Sequence, residues 1–431
     1  MNPLISIIIP IYKPNIDYIQ QCLNSVTHQS FKDFEIILVY DNKLDNIQYN
    51  LINNIVSNHN FKIIHSFSSN IPTALNCGIV KASGLWVTFL DQDDLLHLKA
   101  FETVFRAIRK NPDCEFIYTN ESKFNQSGSY YDQNSKPLLD EALILNQNYL
   151  CHSLYIKNEL LAEVGLFDPL SHGSQDWDLA LRIIYHERKI KYIRIPKYLY
   201  YWRAHSQSSS VTLGTKKYIK KSQLYILSKF FSKYNYSVNL YYRHGNFISF
   251  ELKNHLINAC HIITFGKSKF RNYEYTNKST TIKYYHFKKN EVFLSIQKLK
   301  YKKGDFILLL NENLLFDQKE IYKLFFSYLN FKYIGCIGPK IIYKSKFIKF
   351  IKNFNIKSLF SLNLCSEYEI HKRIHLLQKK SIVNKCCIAF RAQDLNLFKD
   401  CKSIKEFQLV SYNKGLINVQ INDFKMTYLS E

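Results

Sequence analysis

Gly84-Leu-Trp-Val-Thr-Phe-Leu-Asp91-Gln-Asp93-Asp94-Leu-Leu96 is the most informative stretch of this 431-residue chain. Its apolar, β-prone run at residues 86–90 predicts a strand that is covered on both faces. Three acids follow at the carboxyl end, where open α/β sheets place their ligands. Crowded carboxylates repel one another, and a divalent cation that bridges them to substrate phosphates would explain the cluster. The alternative is a polar turn in which Asp94 caps a helix that begins near Leu95.

The start of the chain predicts two more strands with a helix between them. Leu4-Ile-Ser-Ile-Ile-Ile-Pro10-Ile-Tyr12 is a β-branched run stopped by proline, and Phe34-Glu-Ile-Ile-Leu-Val-Tyr40-Asp41 is a second buried strand that ends on an acid. An amphipathic stretch at residues 16–26 lies between them. This order predicts parallel pairing with a right-handed crossover, the outline of a nucleotide-binding scaffold. The chain has neither a Gly-x-Gly-x-x-Gly fingerprint nor a Walker lysine loop, which argues against a dehydrogenase or a P-loop enzyme.

Six segments of the first half carry a resemblance to a known family. They are Ser6-Ile-Ile-Ile-Pro10-Ile-Tyr12, Gln29-Ser-Phe-Lys-Asp-Phe-Glu35, Leu90-Asp-Gln-Asp-Asp-Leu95, Gln147-Asn-Tyr-Leu150, Gly173-Ser-Gln-Asp-Trp-Asp-Leu-Ala-Leu-Arg182 and Tyr201-Trp-Arg-Ala-His-Ser206. With them, residues 3–210 resemble a family 2 glycosyltransferase of the inverting GT-A type, of the kind that builds O-antigen and capsule chains. The resemblance implies an α/β fold: a GT-A, Rossmann-like mixed sheet flanked by helices.

The resemblance implies a cleft for a nucleotide-diphospho-sugar donor. Asp41 ends the second strand where the family holds the nucleobase, and Pro10 and Tyr12 line the same cleft. The family usually has two acids at this point, whereas this chain has Tyr40 before Asp41, which leaves the identity of the base open. Asn76 resembles the family's asparagine on the donor side of the cleft, although a plain helix position is an equal alternative.

The same resemblance implies a divalent cation, Mg²⁺ or Mn²⁺, that neutralises the departing diphosphate. Asp91 and Asp93 look like the family's DxD motif, with Asp93 as the first choice for a direct metal ligand and Asp91 in contact with both metal and nucleotide-sugar. His205 resembles the family's second metal or diphosphate contact. A structural histidine is the alternative reading of His205.

Asp176 is the candidate general base. Inverting transfer is a direct displacement, so the acceptor hydroxyl must lose its proton as it attacks, and a carboxylate within reach can accept that proton. The alternative is that Asp176 caps the helix that begins there. Gln175 and Trp177 are expected to contact the acceptor, Trp177 as a wall for a sugar face, and Asp178 is expected on the solvated side.

Length and cysteine usage frame these expectations. A chain of 431 residues predicts two domains. No apolar run approaches 18 residues, and the ten cysteines form no C-x-x-C pair. We therefore expect a reduced cytoplasmic protein, peripheral at most on the inner face of the cell membrane, without structural zinc.

The positive charge lies in the second half. Residues 1–210 carry 19 basic and 21 acidic side chains, which leaves 39 basic and 14 acidic side chains, a net of +25, in residues 211–431. Such charge would attract an anionic membrane or a diphosphate-linked lipid, with nucleic acid a less favoured partner. The alternative is compositional drift, because lysines outnumber arginines 48 to 10.

The second half also repeats the first faintly. The matching segments are 270–274 with 31–35 and 304–313 with 84–93, and 334–343 and 387–391 look like later strands of the same family. The DxD position reads Asn311-Glu312-Asn313, and asparagine is a weaker ligand for a hard cation because it carries no charge. The resemblance therefore implies a second, degenerate and non-catalytic GT-A-like α/β domain.

The expected organisation is a catalytic domain at 1–212, a basic helical linker at 213–240 and the degenerate domain at 241–431. The linker helix is expected either to face a membrane or to pack between the domains. The expected function is sugar transfer from a nucleotide-diphospho-sugar to a glycan or lipid-linked saccharide in surface polysaccharide synthesis. The competing hypothesis is a non-catalytic glycan- or membrane-binding relic of such an enzyme.

Overall fold

A computed structural model of the chain describes residues 2–41, 46–66, 68, 70–125, 128–141, 143–204, 217–243, 247–252, 259–266, 273–277, 280–288, 296, 298–302, 305–311, 314–315, 334–344, 377–380, 387–391 and 417–429. The chain divides into two compact units. The first comprises Met1–Leu139 and Gln147–Tyr234, and the second comprises Asp140–Asn146 and Asn235–Glu431.

The first unit alternates strands and helices along the chain. Its strands are β1 (Ile5–Ile11), β2 (Phe34–Asp41), β3 (Phe61–Ser66), β4 (Trp86–Phe89), β5 (Leu95–Leu96), β6 (Phe116–Phe124), β7 (Tyr130–Asn134), β8 (Leu154–Lys157) and β9 (Tyr192–Arg203). Its α-helices are α1 (Ile16–Thr27), α2 (Asn46–Val56), α3 (Ile71–Lys81), α4 (Ala100–Lys110), α5 (Asn158–Val164), α6 (Gln175–Ile184) and α7 (Lys217–Lys233), with a 3-10 turn at Pro169–Ser171.

In the described part of this unit, nine strands form one mixed sheet in the order β3-β2-β1-β4-β8-β6-β9-β5, with β7 paired to β6. Strand β1 is parallel to both β2 and β4, so the predicted strand–helix–strand crossover is confirmed. The strand order reverses at β1, because β2 and β3 lie on one side of it and β4 on the other. Open α/β sheets bind ligands at the carboxyl ends of the strands at such a switch point.

The central strands are apolar because both faces of the sheet are covered. Ile7, Ile8 and Ile9 on β1 are all fully buried, as expected for a strand that contacts core on both sides. Helix α1 buries Ile19 and Leu23 at helical spacing and packs within the same core. The predicted mixed α/β fold with flanking helices is therefore confirmed.

Glu35 ties the amino ends of four strands together. Its buried carboxylate accepts hydrogen bonds from the hydroxyl of Ser6 at 2.6 Å and from the backbone N–H of Ser83 at 2.7 Å, and it pairs with Lys62 at 2.7 Å. Burial raises the pKa of Glu35, but the bonds from Lys62, Ser6 and Ser83 outweigh it and hold that pKa below its ordinary value. Gly84 approaches so closely that a Cβ would lie 2.6 Å from the backbone nitrogen of Ser6. These contacts explain why the segment Gln29–Glu35 ends on a glutamate and the segment Gly84–Leu96 begins with a glycine.

The second unit contains two sheets. Its strands are β10 (Val238–Arg243), β11 (Phe247–Leu252), β12 (Ala259–Gly266), β13 (Tyr273–Asn277), β14 (Thr280–Lys288), β15 (Phe306–Asn311), β16 (Leu314–Leu315), β17 (Ile334–Lys344), β18 (Leu377–Lys380), β19 (Cys387–Arg391) and β20 (Ile417–Leu429), with a 3-10 turn at Leu143–Leu145. Strands β10 and β11 pair as a small antiparallel sheet. The others follow the order β13-β14-β12-β15-β19-β17-β20-β16, with β18 paired to β20.

This order repeats that of the first unit. Strands β12, β15, β19, β17, β20 and β16 take the places of β1, β4, β8, β6, β9 and β5. Pair directions match as well: β12 is parallel to β15, as β1 is to β4, and β17 is parallel to β20, as β6 is to β9. The internal repeat that the motifs predicted is confirmed in the strand order.

The nine-stranded sheet of the first unit and that of the second differ at one edge and in one buried polar pair. Edge strand β13 precedes β14 and is antiparallel to it, whereas β3 follows β2 and is parallel to it. His261 occupies the position on β12 that Ser6 occupies on β1, because both lie one residue after the paired starts of their strands. Where Ser6 binds Glu35, His261 binds the buried Asp305 at 3.0 Å.

The described part of the expected linker, residues 217–240, contains helix α7 and the first residues of β10. The helix is grouped with the first unit and buries Ile219, Ile226 and Phe231. Lys229 and Tyr225 on this helix both bind the carboxylate of Asp168. Across the described part of the chain, every helix is either too short or too polar to cross a membrane.

Replacing Glu35 with glutamine should destabilise the first unit by about 2–4 kcal/mol, because Lys62 loses its buried charge partner. Since the pKa of Glu35 is lowered by folding, its contribution is complete above about pH 4.3, the ordinary value for glutamate, and is lost as the pH falls through the lowered value. Chemical denaturation followed by circular dichroism between pH 3 and pH 7 measures both effects.

Glu102→Gln is the matched control for Glu35→Gln. Glu102 also accepts a serine hydroxyl and pairs with Arg106, but its side chain is 26% exposed. Its loss should lower the free energy of unfolding much less than the loss of Glu35, because exposed ion pairs contribute little. Equal costs for the two variants would contradict the role given to Glu35.

Candidate active site

The acid turn after β4 lies at the carboxyl ends of β1 and β4, beside the switch point of the sheet. Its backbone is closed by the N–H of Asp94, which donates to the carbonyl of Asp91 at 3.1 Å. Leu95–Leu96 then form β5, and α4 begins only at Ala100. The alternative in which Asp94 caps a helix is therefore wrong.

Asp94 is the buried anchor of this turn. One carboxylate oxygen accepts a hydrogen bond from the Tyr200 hydroxyl at 2.6 Å, and the other accepts one from the backbone N–H of Arg203 at 2.7 Å. The residue is 1% exposed. Burial, together with the charges of Asp93 and Asp91, raises the pKa of Asp94 well above its ordinary value. Asp94 therefore fixes the turn, and each of its carboxylate oxygens already accepts a hydrogen bond.

Arg203 holds the middle of the turn from the end of β9. Its Nε donates to the backbone carbonyl of Asp93 at 2.6 Å, and its Nη2 donates to the side chain of Gln21 at 2.9 Å. The guanidinium lies 4.4 Å from the ring centroids of both Tyr18 and Phe124. A planar cation between two rings is restrained in orientation as well as position, so it sets the backbone that carries Asp93.

Gln92 joins the turn to the end of β1. Its side-chain amide accepts a hydrogen bond from the N–H of Tyr12 at 3.0 Å and donates one to the Tyr12 carbonyl at 2.8 Å. Pro10 is half-buried on β1, and the Tyr12 side chain is exposed. The Asp91 side chain is 54% exposed beside this segment. The structure thus joins the Tyr12 backbone, two residues after Pro10, to the turn that carries Asp91 and Asp93.

A buried lysine builds the opposite wall of the site. The ammonium of Lys136 donates to the backbone carbonyls of Leu150 at 3.2 Å, Cys151 at 2.5 Å and His152. It also lies 3.2 Å from the carboxylate of Glu121, and its own side chain has no exposed surface. The charge of Lys136 is therefore fully paired and is used to shape the backbone of residues 150–152.

His152 projects from this wall toward the acid turn. Its backbone has a φ of +50°, a conformation that residues other than glycine rarely adopt. The imidazole stacks on Tyr200, with centroids 4.8 Å apart, and meets Trp202 edge-on at 4.8 Å. Its Nε2 lies 3.8 Å from an Asp91 oxygen, and its Nδ1 lies 3.6 Å from a Glu121 oxygen.

The charges around this imidazole are mutually compensating. Burial lowers the pKa of His152, but contacts with Cys151, Asp91 and Glu121 outweigh burial and raise that pKa well above its ordinary value. Burial likewise raises the pKa of Glu121, but Lys136 and His152 bring it down to about 2. Glu121 is therefore ionised at neutral pH and lies between the Lys136 ammonium and the His152 ring.

Asp176 reaches the same site from the first turn of α6. Its carboxylate accepts the Cys151 thiol at 3.8 Å. Burial, partly offset by His152 and reinforced by the charge of Asp91, raises the pKa of Asp176 to about 6. The N-cap residue of α6 is Ser174, so the alternative in which Asp176 caps the helix is wrong. A half-buried carboxylate with a pKa near 6 can accept a proton at neutral pH.

The neighbours of Asp176 are more buried than the sequence predicted. Trp177 is 2% exposed, so it offers almost no surface to a ligand in this structure. Gln175 is half-buried and accepts a hydrogen bond from the N–H of Gly173 at 2.9 Å. Asp178 was expected on the solvated side, but it is 5% exposed, because it pairs with Arg182 at 2.8 Å.

The remaining predicted residues lie at other positions. The Asn76 side chain on α3 binds the backbone of Phe167, donating to its carbonyl at 2.8 Å and accepting from its N–H at 2.9 Å. The amide oxygen and the amide nitrogen of the Asn76 side chain are thereby both used to hold the loop before α6. Asp41 is the last residue of β2, but its side chain lies outside the described part of the structure, as does His205.

The donors at the turn fit a hard divalent cation. Asp91, Asp94 and His152 each have a ligand atom within 4.8 Å of the other two, and Asp93, one residue before Asp94, adds a carboxylate to the turn outside this group. Asp94 lies equally close, but both its oxygens are bound by Tyr200 and Arg203. Carboxylate oxygens suit Mg²⁺ and Mn²⁺, so the residues present fit the predicted metal.

Four contributors to this site were missed in the sequence. Glu121, Lys136 and His152 lie outside the quoted motifs, and Arg203 lies within one without a predicted role. His152 could have been noticed because it follows the Gln147-Asn-Tyr-Leu150 motif by two residues. Nothing local to Lys136 marks it as buried, since its partners lie 14 to 16 residues away in the chain.

Comparison with known proteins agrees with this arrangement. Residues 6–157 match the family model for glycosyl transferase family 2. The O-antigen biosynthesis protein RfbC of Myxococcus xanthus is 29% identical over 48% of this chain and 16% of its own length. An uncharacterized glycosyltransferase of Rickettsia prowazekii is 32% identical over 41% of this chain and 58% of its own length. This chain therefore spans less than two thirds of either relative.

A solved structure of S. aureus TarS 1-349 in complex with UDP-GlcNAc is similar to 54% of this chain and 73% of that one, with a TM-score of 0.40 and 17% identity. The family model alone covers β1 to β8 and therefore includes the acid turn and His152. Residues 6–157 of the first unit thus match glycosyl transferase family 2, the family that the motifs resemble, and four of the six motifs lie within that range.

Arg203→Lys should weaken cation-dependent nucleotide binding by about 10–100-fold, because lysine cannot reproduce the planar contacts that hold the Asp93 backbone. Titration calorimetry with Mn²⁺ and UDP, dTDP or GDP measures the change. Arg106→Lys is the control, since Arg106 is exposed and pairs only at the surface with Glu102. Unchanged nucleotide binding in Arg203→Lys would show that the turn holds its shape without the guanidinium.

Proposed function

We propose that this protein is an inverting glycosyltransferase that moves a sugar from a nucleotide-diphospho-sugar to a glycan or lipid-linked acceptor. The observation that carries the proposal is the convergence of two kinds of carboxylate on one site. Asp91 and Asp93 lie on the turn at the switch point of the sheet, and Asp176 reaches the same site through Cys151 beside His152. Donor activation and acceptor deprotonation need these two kinds of carboxylate.

The donor would lie across the carboxyl ends of β1 and β4. Asp93 and Asp91 would hold a divalent cation, with His205 as a further contact to metal or diphosphate. When bound, such a cation neutralises charge that develops on the leaving diphosphate. Pro10, Tyr12 and Asp41 would line the nucleotide end of the cleft. Asn76 would act on the donor side through the loop that its side chain holds.

Asp176 would serve as the general base. The acceptor oxygen attacks the anomeric carbon, the bond from that carbon to the diphosphate breaks, and the hydroxyl proton passes to the Asp176 carboxylate. A pKa near 6 leaves this carboxylate ionised at neutral pH while keeping it basic enough to take the proton. Gln175 would contact the acceptor from its half-buried position. Trp177 would contact the acceptor only if it moved out of its buried position.

The biological role we propose is synthesis of a cell-surface polysaccharide. A relative of the first half is an O-antigen biosynthesis protein, and the motifs resemble enzymes of O-antigen and capsule synthesis. We further propose that the second unit is a degenerate GT-A-like domain without catalysis. The repeated strand order supports the common architecture. Asn311 and Asn313 stand where the first unit has Asp91 and Asp93, which supports the loss of the metal site.

The direct test is a screen of the purified chain for transfer or hydrolysis with UDP-, dTDP- and GDP-sugars, with Mg²⁺ or Mn²⁺ and with EDTA. We expect turnover of at least one donor only in the presence of metal. Donor binding without turnover across the panel and a set of saccharide acceptors would favour the non-catalytic relic instead.

Asp93→Ala should abolish transfer and metal-dependent nucleotide binding while leaving the fold intact, because the proposed cation loses its main ligand. Activity with the donor found in the screen and binding by calorimetry are the measurements. Asp113→Ala is the control, because Asp113 is a surface acid that is 73% exposed. Transfer that persists in EDTA would sink the metal-assisted mechanism.

Asp176→Asn should lower turnover by roughly 10²–10⁴-fold with little change in donor binding, because it keeps the shape and removes the base. In the parent protein, turnover should fall tenfold per pH unit below about pH 6, since the carboxylate must be ionised to accept a proton. That acid limb should be absent from the residual activity of Asp176→Asn. Normal turnover with a lowered melting temperature would instead assign Asp176 a structural role.

A further inference from the structure

His152 and Asp91 face one another at a distance that one cation could bridge. Donor atoms about 2.1 Å from an octahedral cation lie about 3.0 Å apart when adjacent and about 4.2 Å apart when opposite. The 3.8 Å between His152 Nε2 and the Asp91 oxygen lies between these two values, so a side-chain shift of about 0.8 Å would make the two atoms adjacent ligands of one cation. The Asp91 side chain is 54% exposed and that of His152 is 13% exposed, so both border accessible space.

The other nitrogen of the ring is already directed at a carboxylate. His152 Nδ1 lies 3.6 Å from Glu121, which is itself 3.2 Å from Lys136. Metal-binding histidines commonly present one nitrogen to a carboxylate or carbonyl and the other to the metal, which fixes the ring orientation. Glu121 supplies such a carboxylate, and Lys136, whose own side chain has no exposed surface, compensates its charge.

The backbone of His152 is held in an unfavourable conformation. A non-glycine residue at a φ of +50° costs of order 1–3 kcal/mol unless its surroundings enforce it. The Lys136 ammonium binds the carbonyls of Cys151 and His152, which flank the His152 α-carbon, and the ring contacts both Tyr200 and Trp202. The structure therefore maintains local strain whose result is an imidazole directed at Asp91.

We propose that His152 is a direct ligand of the cation at Asp91, and that Glu121 and Lys136 are positioning residues for its ring. This inference rests on the proposed function, because it adds a nitrogen donor to the same cation site. It also predicts a metal preference: imidazole is a better ligand for Mn²⁺ than for Mg²⁺, which favours oxygen donors. Mn²⁺ should therefore bind more tightly than Mg²⁺, and His152 should account for the difference.

The test is pulsed electron paramagnetic resonance of Mn²⁺ bound to the full-length protein, which detects nitrogen nuclei bonded to the metal. We expect a nitrogen modulation that His152→Asn removes or reduces, with Mn²⁺ affinity falling at least about tenfold and Mg²⁺ affinity changing less. Asparagine is chosen because it tolerates a positive φ better than other side chains. His186→Asn is the matched control, because His186 pairs with Glu163 at the surface. His205→Asn is measured in parallel, since that histidine could supply a nitrogen as well.

A second variant guards against misfolding of the first. Glu121→Gln keeps an acceptor for Nδ1 but removes its charge, so Mn²⁺ affinity should fall about tenfold while the nitrogen modulation remains. A nitrogen modulation unchanged in folded His152→Asn, or absent from the parent protein, overturns the inference. Adding UDP, dTDP and GDP in turn separates failure of the His152 proposal from failure of the proposed function. Phosphorus coupling without nitrogen coupling refutes only the role of His152, whereas failure to bind Mn²⁺ at all refutes the metal-assisted function too.

Discussion

The site depends on one buried carboxylate. Asp94 is held between the Tyr200 hydroxyl and the Arg203 backbone, and through these contacts the last strand of the first sheet fixes the turn after β4. A buried carboxylate is costly unless its oxygens are hydrogen-bonded, so this pairing specifies one conformation of the turn. Asp91 and Asp93 can then occupy defined positions without holding the turn together. Of the three acids of the turn, Asp94 is structural, and Asp91 and Asp93 are the two that we propose bind the ligand.

The two units place different chemistry on the same strand order. In the first, Ser6 and Glu35 secure the amino ends of the central strands, and acids follow their carboxyl ends. In the second, a buried His261–Asp305 pair occupies the equivalent amino end, while the sequence that begins with the last residue of β15 reads Asn311-Glu312-Asn313. The fold therefore persists where the charges needed for a cation have been lost. Sheet architecture requires apolar strands and satisfied polar groups, and neither depends on the acids of the turn.

Strands with local signals were predictable, and long-range polar contacts were not. The apolar run at Phe34–Asp41 and the switch of period at Ile16–Thr27 mark β2 and α1 in sequence. The expectation for Asp178 was wrong because its exposure depends on Arg182, which folds against the α5–α6 connection. Lys136 was missed for a similar reason: a lysine is read as exposed unless its buried partners are known. The local pattern of apolar residues predicts helices and strands well, because the buried positions of one element recur at a fixed spacing. A functional site joins residues that are far apart in sequence, so no local pattern marks it.

The central claim is that the turn, the His152 wall and α6 form one cation and nucleotide site. Anomalous diffraction at the manganese edge, from crystals of the full-length protein grown with Mn²⁺ and a bound nucleoside diphosphate, tests it most directly. The account predicts one strong peak within bonding distance of Asp93 and Asp91, with His152 in the same coordination sphere and Asp176 facing the diphosphate. A manganese ion bound elsewhere, or a nucleotide bound away from the carboxyl ends of β1 and β4, would contradict it.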